Sequence, residues 1–258
     1  MPTSFGLSFA AVDILSEGLQ VNCRLYPFQI PSFGEFVEDR ARIAEAIKND
    51  LIKRGLSDHY NLAPEVVDAI RLLSDYQVAI SVMGDVESGT QVFARGSATA
   101  RRGMVVRQVD QIMQFELIRP ESLARSIAAL LPAIGAGPGQ SVTITQPNQQ
   151  RPTQDEEMSL RQQVAMPRGT SPAQIRQAEE ILRRKRLGSG HFTVSGRDRF
   201  GKTIQAPGLG WIDTAAGRYL VQSHDVENAT SGTYFPADNA RMIHQLNELL
   251  QSVGSPGS

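Results

Sequence analysis

Apolar and polar residues alternate over residues 76–83, where Val78, Ile80 and Val82 are interleaved with Gln77, Ala79 and Ser81. The alternation returns over 190–195, with Phe192 and Val194 set among His191, Thr193 and Ser195. A period of two predicts strands with one buried face and one wetter face. After each strand the chain runs in the same order. A polar loop (84–90, then 196–202) is followed by further strands joined at Gly103 or Gly217, then a proline and an amphipathic helix. Pro120 and Pro236 end the last strand of each set, because proline lacks the N–H of a ladder and suits a first helical turn.

The two closing helices carry Leu123, Ile127, Leu130 and Leu131 on one stripe, and Met242, Ile243, Leu246, Leu249 and Leu250 on the other. Each spacing makes one apolar face at helical period. A helical stretch also precedes each set, at 63–73 and 171–187, and Ser171 before Pro172 is a capping start. Two α–β-meander–α halves predict an α+β fold duplicated about an approximate two-fold axis. Residues 1–131 form the first half, 132–170 a connector, and 171–252 the second half, which repeats 64–131. Both hairpin glycines are expected at positive φ, and Asp213 is expected to accept a turn N–H better than Thr99 does.

Ahead of the first half, 9–19 predicts a short helix with Val12, Leu15 and Leu19 on one side. Residues 24–32 hold Pro27 and Pro31 and read as extended, an edge strand or strand end. A long helix to Lys53 is expected to turn Phe36, Ile43, Ala44, Ile47 and Leu51 inward and to stop at Gly55. The Gly-, Pro- and Gln-rich stretch 132–154 reads as linker, with an alternation at Val142 and Ile144 that can add a strand. A helix is expected over 155–166 and a disordered tail over 254–258.

With 258 residues, 41% apolar and 21% charged, the chain can bury a sizeable core. A net charge of -1 gives no bulk attraction to nucleic acid or anionic membranes. The single cysteine, Cys23, excludes an intrachain disulfide and a multi-cysteine zinc site and fits a reducing compartment. No apolar run approaches the ~20 residues of a membrane helix. The start lacks a basic region and carries Asp13, so no signal peptide is expected and the cytoplasm is.

Candidate chemistry is sparse. No two of the four histidines sit at ligand spacing on one helix, so no metal or cofactor is expected. The basic run 183–186 reads as a helix end with Glu179 and Glu180 one turn back. The glycines of 135–139 lack the lysine of a phosphate loop, and 188–191 lacks the frame of a nucleophile elbow. An enzyme would need His191, His224 and Asp225 in one pocket between the halves. A self-associating sheet-edge protein is the other alternative, and the partly polar sheet with its two polar loops suits a binding module better than a catalyst.

Residues 195–223 resemble the C-terminal signature of the EspG family, cytoplasmic chaperones of actinobacterial type VII (ESX) secretion. The resembling pieces are Arg197-Asp198, Gly201, Ile212-Asp213-Thr214, Gly217-Arg218 and Leu220-Val221. Residues 26–32, 39–56, 62–73 and 117–132 agree in order with the family's N-terminal half. The resemblance implies a quasi-two-fold fold, with a central antiparallel sheet flanked by two helical bundles. It also implies a chaperone, itself not secreted, that grips the helical tip of the PPE subunit of a PE–PPE heterodimer and keeps the pair soluble. The family's contacts lie on the sheet, on the loop between the second and third strands, and on the C-terminal bundle. With 25–30 as the first strand, that loop is 84–90. Asp85, Val86, Glu87, Ser88, Gly89 and Thr90 are then the expected partner-binding residues. That loop is acidic, whereas its counterpart 196–202 is basic through Arg197, Arg199 and Lys202. A monomer or weak homodimer without nucleic-acid or membrane partners is expected.

Overall fold

Eleven strands form one sheet in the computed structural model, which describes residues 4–147, 183–226 and 229–254. In chain order they are β1 (Ser4–Ser8), β2 (Val78–Val86), β3 (Thr90–Ala98), β4 (Gly103–Val109), β5 (Ile112–Ile118) and β6 (Val142–Pro147), then β7 (Arg186–Arg197), β8 (Thr203–Gln205), β9 (Leu209–Thr214), β10 (Gly217–Val226) and β11 (Ala229–Pro236). The described helices are α1 (Phe9–Gly18), α2 (Val37–Lys53), α3 (Pro64–Ser74), α4 (Leu123–Ala128) and α5 (Asn239–Gly254). Outward from the β2–β7 contact the order is β3, β4, β5, β1 on one side and β9, β10, β11, β6 on the other, with β8 on β7. Every named pairing is antiparallel.

The period-two pattern sorts residues to two cores. On one face Ile80, Val82, Ala94, Val105, Phe192, Val194, Trp211 and Leu220 meet Leu123 and Ile127 of α4 and Met242, Leu246, Leu249 and Val253 of α5. On the other face Leu7, Met104, Val106, Met113 and Phe115 meet α1 and α3. In the central ladder Ile80 lies opposite Val194 and Val82 opposite Phe192, so the two alternating stretches are direct neighbours. The Trp211 ring lies close over Gly84 and Gly190, where a Cβ would fall 2.8 and 2.2 Å from it.

The expected helices at 9–19, 63–73 and in both closing stripes form, as does the strand at Val142 and Ile144. Several expectations need correction. Residues 25–30 are not a strand; the first strand is Ser4–Ser8, whose Phe5 and Leu7 turn inward beside β5. The long helix forms as α2, but of its expected inward residues only Leu51 is buried, and Phe36 is 62% exposed. Gly217 has φ +128, yet Gly103 has no positive φ, because the first hairpin turns over four residues, 99–102, and the second over only two. The turn acceptor is Thr99, which takes the Arg101 and Arg102 N–H groups, while Asp213 is buried. The helix over 171–187 lies outside the described residues up to 182, and at its end Arg186 and Leu187 already belong to β7. The helix at 155–166 and nearly all of the tail also lie outside the described residues.

Candidate interaction surface

The expected loop 84–90 is shorter than the sequence suggests. Gly84, Asp85 and Val86 extend β2, and only Glu87, Ser88 and Gly89 form the link, a single 3₁₀ turn closed by the Val86–Thr90 pair. Strand alternation then separates the expected residues. Val86 turns toward the α4–α5 face, and Asp85 points to the opposite one, exposed. Val86, Gly89 and Thr90 form one wall of a cleft of about 610 Å³. Its other wall is the β4–β5 hairpin, with Arg107, Gln108, Val109 and Asp110, and Gln91, Val92, Phe93 and Leu130 also line it. Val109 is 44% exposed, and α4 is only six residues long, so the sheet beyond it stays open. The sequence reading missed this second wall. Val109 before the Asp110–Gln111 turn, an apolar residue at a hairpin tip, was the signal.

Buried charges fix elements elsewhere in the fold. Arg218 is fully buried and donates to both Asp213 carboxylate oxygens at 2.6 and 2.9 Å. It also donates to Asn239 Oδ1 at 2.6 Å and to the Pro132 carbonyl at 3.0 Å, tying β9, β10, α5 and the segment after α4 to one side chain. Asp13, buried in α1, accepts from Arg24, Arg40 and the Phe33 N–H. Burial alone would raise its carboxyl. The hydrogen bonds of Arg40, Phe33 and Arg24 and the charge of Arg40 outweigh it and hold the carboxyl below its ordinary value. On the central strands Arg95 is buried, donates to Ser81 Oγ at 2.8 Å and covers the Tyr76 ring at 4.7 Å. Burial lowers the Arg95 guanidinium. Burial would raise the Tyr76 phenol, but its bond with Ser195 and the charges of Arg95 and Arg197 leave it lowered.

His191 and His224 sit on different strands of the sheet. His191 stacks on Tyr26, its Nε2 2.5 Å from the phenol oxygen. His191 pairs with Gly210, and Gly210 with Val221, so His224 lies two strands away and three residues further along β10. His244 faces Glu248 at 3.5 Å on the surface of α5. Among the described residues no cluster of His, Cys, Asp and Glu could hold a metal ion, and no helix is long and apolar enough to cross a membrane.

The family model described as the EspG family matches residues 8–248, nearly the whole sheet and its helices. The chain belongs to the EspG family. Among solved structures, the Mycobacterium tuberculosis type VII secretion system chaperone EspG5, in complex with a PE25–PPE41 dimer, superposes with a TM-score of 0.67. That likeness covers 99% of this EspG chain and 98% of the other at 9% identity, so it speaks for the fold. No curated protein sequence matches the chain.

Proposed function

We propose that this EspG protein is a cytoplasmic chaperone of type VII secretion, without a catalytic step, that holds a PE–PPE heterodimer soluble by the tip of its PPE subunit. The observation that carries the reading is the cleft beside the β2–β3 link. It is apolar at Val86, Val92, Val109 and Leu130 and lies beside exposed Glu87 and Asp110. Apolar surface ringed by polar groups is what a helical tip that would aggregate in water requires. Family membership and the EspG5 complex with PE25–PPE41 support the choice of client. Asp85, Val86, Glu87, Ser88, Gly89 and Thr90 are proposed as contact residues. Val86, Gly89 and Thr90 line the cleft, and Asp85 and Glu87 steer the approach.

We further infer that the fold is a duplication about an approximate two-fold axis through the β2–β7 contact, with halves 1–131 and 171–252 joined by 132–170 in one two-lobed domain. The matching strand order on either side of that contact supports it. The test is co-expression with a PE–PPE pair from the same source, followed by co-purification. Val86→Asp, and Asp85→Lys with Glu87→Lys, should each cut recovery of the pair by about tenfold or more while leaving the melting temperature nearly unchanged. Undiminished recovery with both variants removes this link from the site.

A further inference from the structure

The sheet face opposite α4 and α5 holds a buried cationic cluster that the proposed function does not use. Ser81 of β2 lies opposite Arg95 of β3, and Ala79 lies between Ser97 of β3 and Ser195 of β7. Directly opposed residues share a face, so these side chains form one patch across three strands, and all of them are buried. Tyr76, between α3 and β2, is only 9% exposed and lies against the patch. Two guanidiniums flank its ring, Arg95 at 4.7 Å and Arg197 at 5.0 Å from the ring centre. Its phenol bonds with Ser195 and Arg95.

Arg95 is a buried cation short of an acid. Its Nη1 donates to Ser81 Oγ at 2.8 Å, and that hydroxyl donates its own hydrogen to the Tyr26 carbonyl at 2.9 Å. Among the described residues no carboxylate pairs with Arg95. A buried charge without a counter-charge is strongly destabilising, and a guanidinium does not shed its proton to escape that cost. The acid in contact with it is the Tyr76 phenol. The charged groups that face this phenol are Arg95 from β3 and Arg197 from β7. From α3 comes the Ser74 carbonyl, which takes Arg197 Nη2 at 2.8 Å. Asp75, next to Tyr76 in the chain, is exposed, and the Asp198 carboxylate beside Arg197 is engaged by the Phe200 and Lys202 N–H groups. Burial opposes ionisation of Tyr76, and the Ser195 bond and the two guanidiniums outweigh it.

We propose that the Tyr76 phenolate is the counter-ion of Arg95, a latch in which the loss of one proton fastens the end of α3 to β3 and β7. With the phenol protonated, the guanidiniums hold the ring through its π face and a neutral hydrogen bond. Once it ionises, a full negative charge stands beside two cations in a buried site. Arg197 already holds the Ser74 carbonyl, so the last turn of α3 is tied to the same charge. The direction with pH follows from linkage. A phenol that ionises more readily in the folded chain contributes fully above the ordinary phenol value, and its contribution is lost as pH falls through the folded one. The latch therefore tightens as pH rises.

The test titrates the purified full chain and follows tyrosinate absorbance. The chain has five tyrosines, so the first step should have the amplitude of one in five, and it should lie below the ordinary phenol value of about 10. Tyr76→Phe keeps the ring against both guanidiniums and should remove that step alone. Arg197→Gln, at an exposed residue, should move the step upward, and Arg95→Gln should move it further. Urea titrations give a second reading. The stability gap between the wild type and Tyr76→Phe should widen as pH rises through the first step and stay constant below it. Tyr76→Phe and Arg197→Gln leave the core packing in place, so the result does not depend on Arg95→Gln folding. A wild type with no step below the ordinary phenol value, or a step that survives Tyr76→Phe, overturns the proposal. So does a step indifferent to the arginine changes, or a stability gap that does not vary with pH.

Discussion

Asp213 and Arg218 show what a single pair of residues decides in this fold. They sit directly opposite one another across the β9–β10 hairpin, and both are buried. Removing one partner strands the other charge in the core, which costs about 3–5 kcal/mol. Arg218→Ala should therefore shift a urea midpoint strongly. The double change Asp213→Leu with Arg218→Met should recover most of that loss, because two apolar groups need no partner. A double variant as weak as the single one would mean that Asn239 and Pro132, and not Asp213, carry the value of Arg218. Asp13 gives the pH dependence. Its carboxyl is lowered in the folded chain, so its contribution is complete above the ordinary carboxylate value and is lost as pH falls through the folded one. Stability should fall below about pH 4. Asp13→Asn should be less stable at neutral pH and flatten that acid limb in urea titrations at several pH values. The sequence placed Asp213 in the turn because it precedes the hairpin glycine. A two-residue turn instead sets it against Arg218, and that register is knowable only once the hairpin length is fixed.

Among the elements, α5 and α2 contrast in what amphipathic spacing establishes. Both are helical at the right period, yet α5 buries Met242, Leu246, Leu249 and Val253, and α2 buries only Leu51. Leu246→Ala should cost about 2–5 kcal/mol. Phe36→Ala, beside the start of α2, should change stability by no more than about 0.5 kcal/mol. Urea titration of both variants checks the pair; equal costs would mean that α2 is docked as firmly as α5. Periodicity names the face that would turn inward, but not whether another element covers it. Strand faces were legible because both sides of the central ladder alternate strongly, down to the Ile80–Val194 and Val82–Phe192 neighbours. The first strand was not, since Ser4–Ser8 offers only Phe5 and Leu7, and the prolines at 27 and 31 drew the reading to a stretch that forms no ladder. The candidate site was half legible. The acidic link was found from family resemblance, and the β4–β5 wall had only Val109 at its hairpin tip as a signal, its place beside the link coming from tertiary structure.

The β2–β7 ladder lies as a seam at the middle of the sheet, and the α4–α5 core runs across it. That core takes Ile80, Ala94 and Leu123 from one side of the seam and Phe192, Trp211 and Leu246 from the other. Two sides of a sheet that share a core cannot unfold one at a time without exposing the apolar surface of both. Trp211, the single tryptophan, lies over Gly84 of β2 and Gly190 of β7 and reports on the seam itself. Heat unfolding should therefore give one transition, with Trp211 fluorescence and far-UV circular dichroism coincident. Gly190→Val sharpens the test, because its Cβ would fall 2.2 Å from the Trp211 ring and 2.4 Å from the Met83 carbonyl oxygen. A backbone oxygen cannot rotate away, so the seam must open, and both signals should move together to a lower temperature. Were the fluorescence transition to fall while the dichroism transition stayed in place, the two halves would be independent folding units linked by a strand pair. The ends of that pair could then move relative to one another. One cooperative transition instead fixes the β2–β3 link and the β7–β8 link at opposite ends of a single rigid sheet.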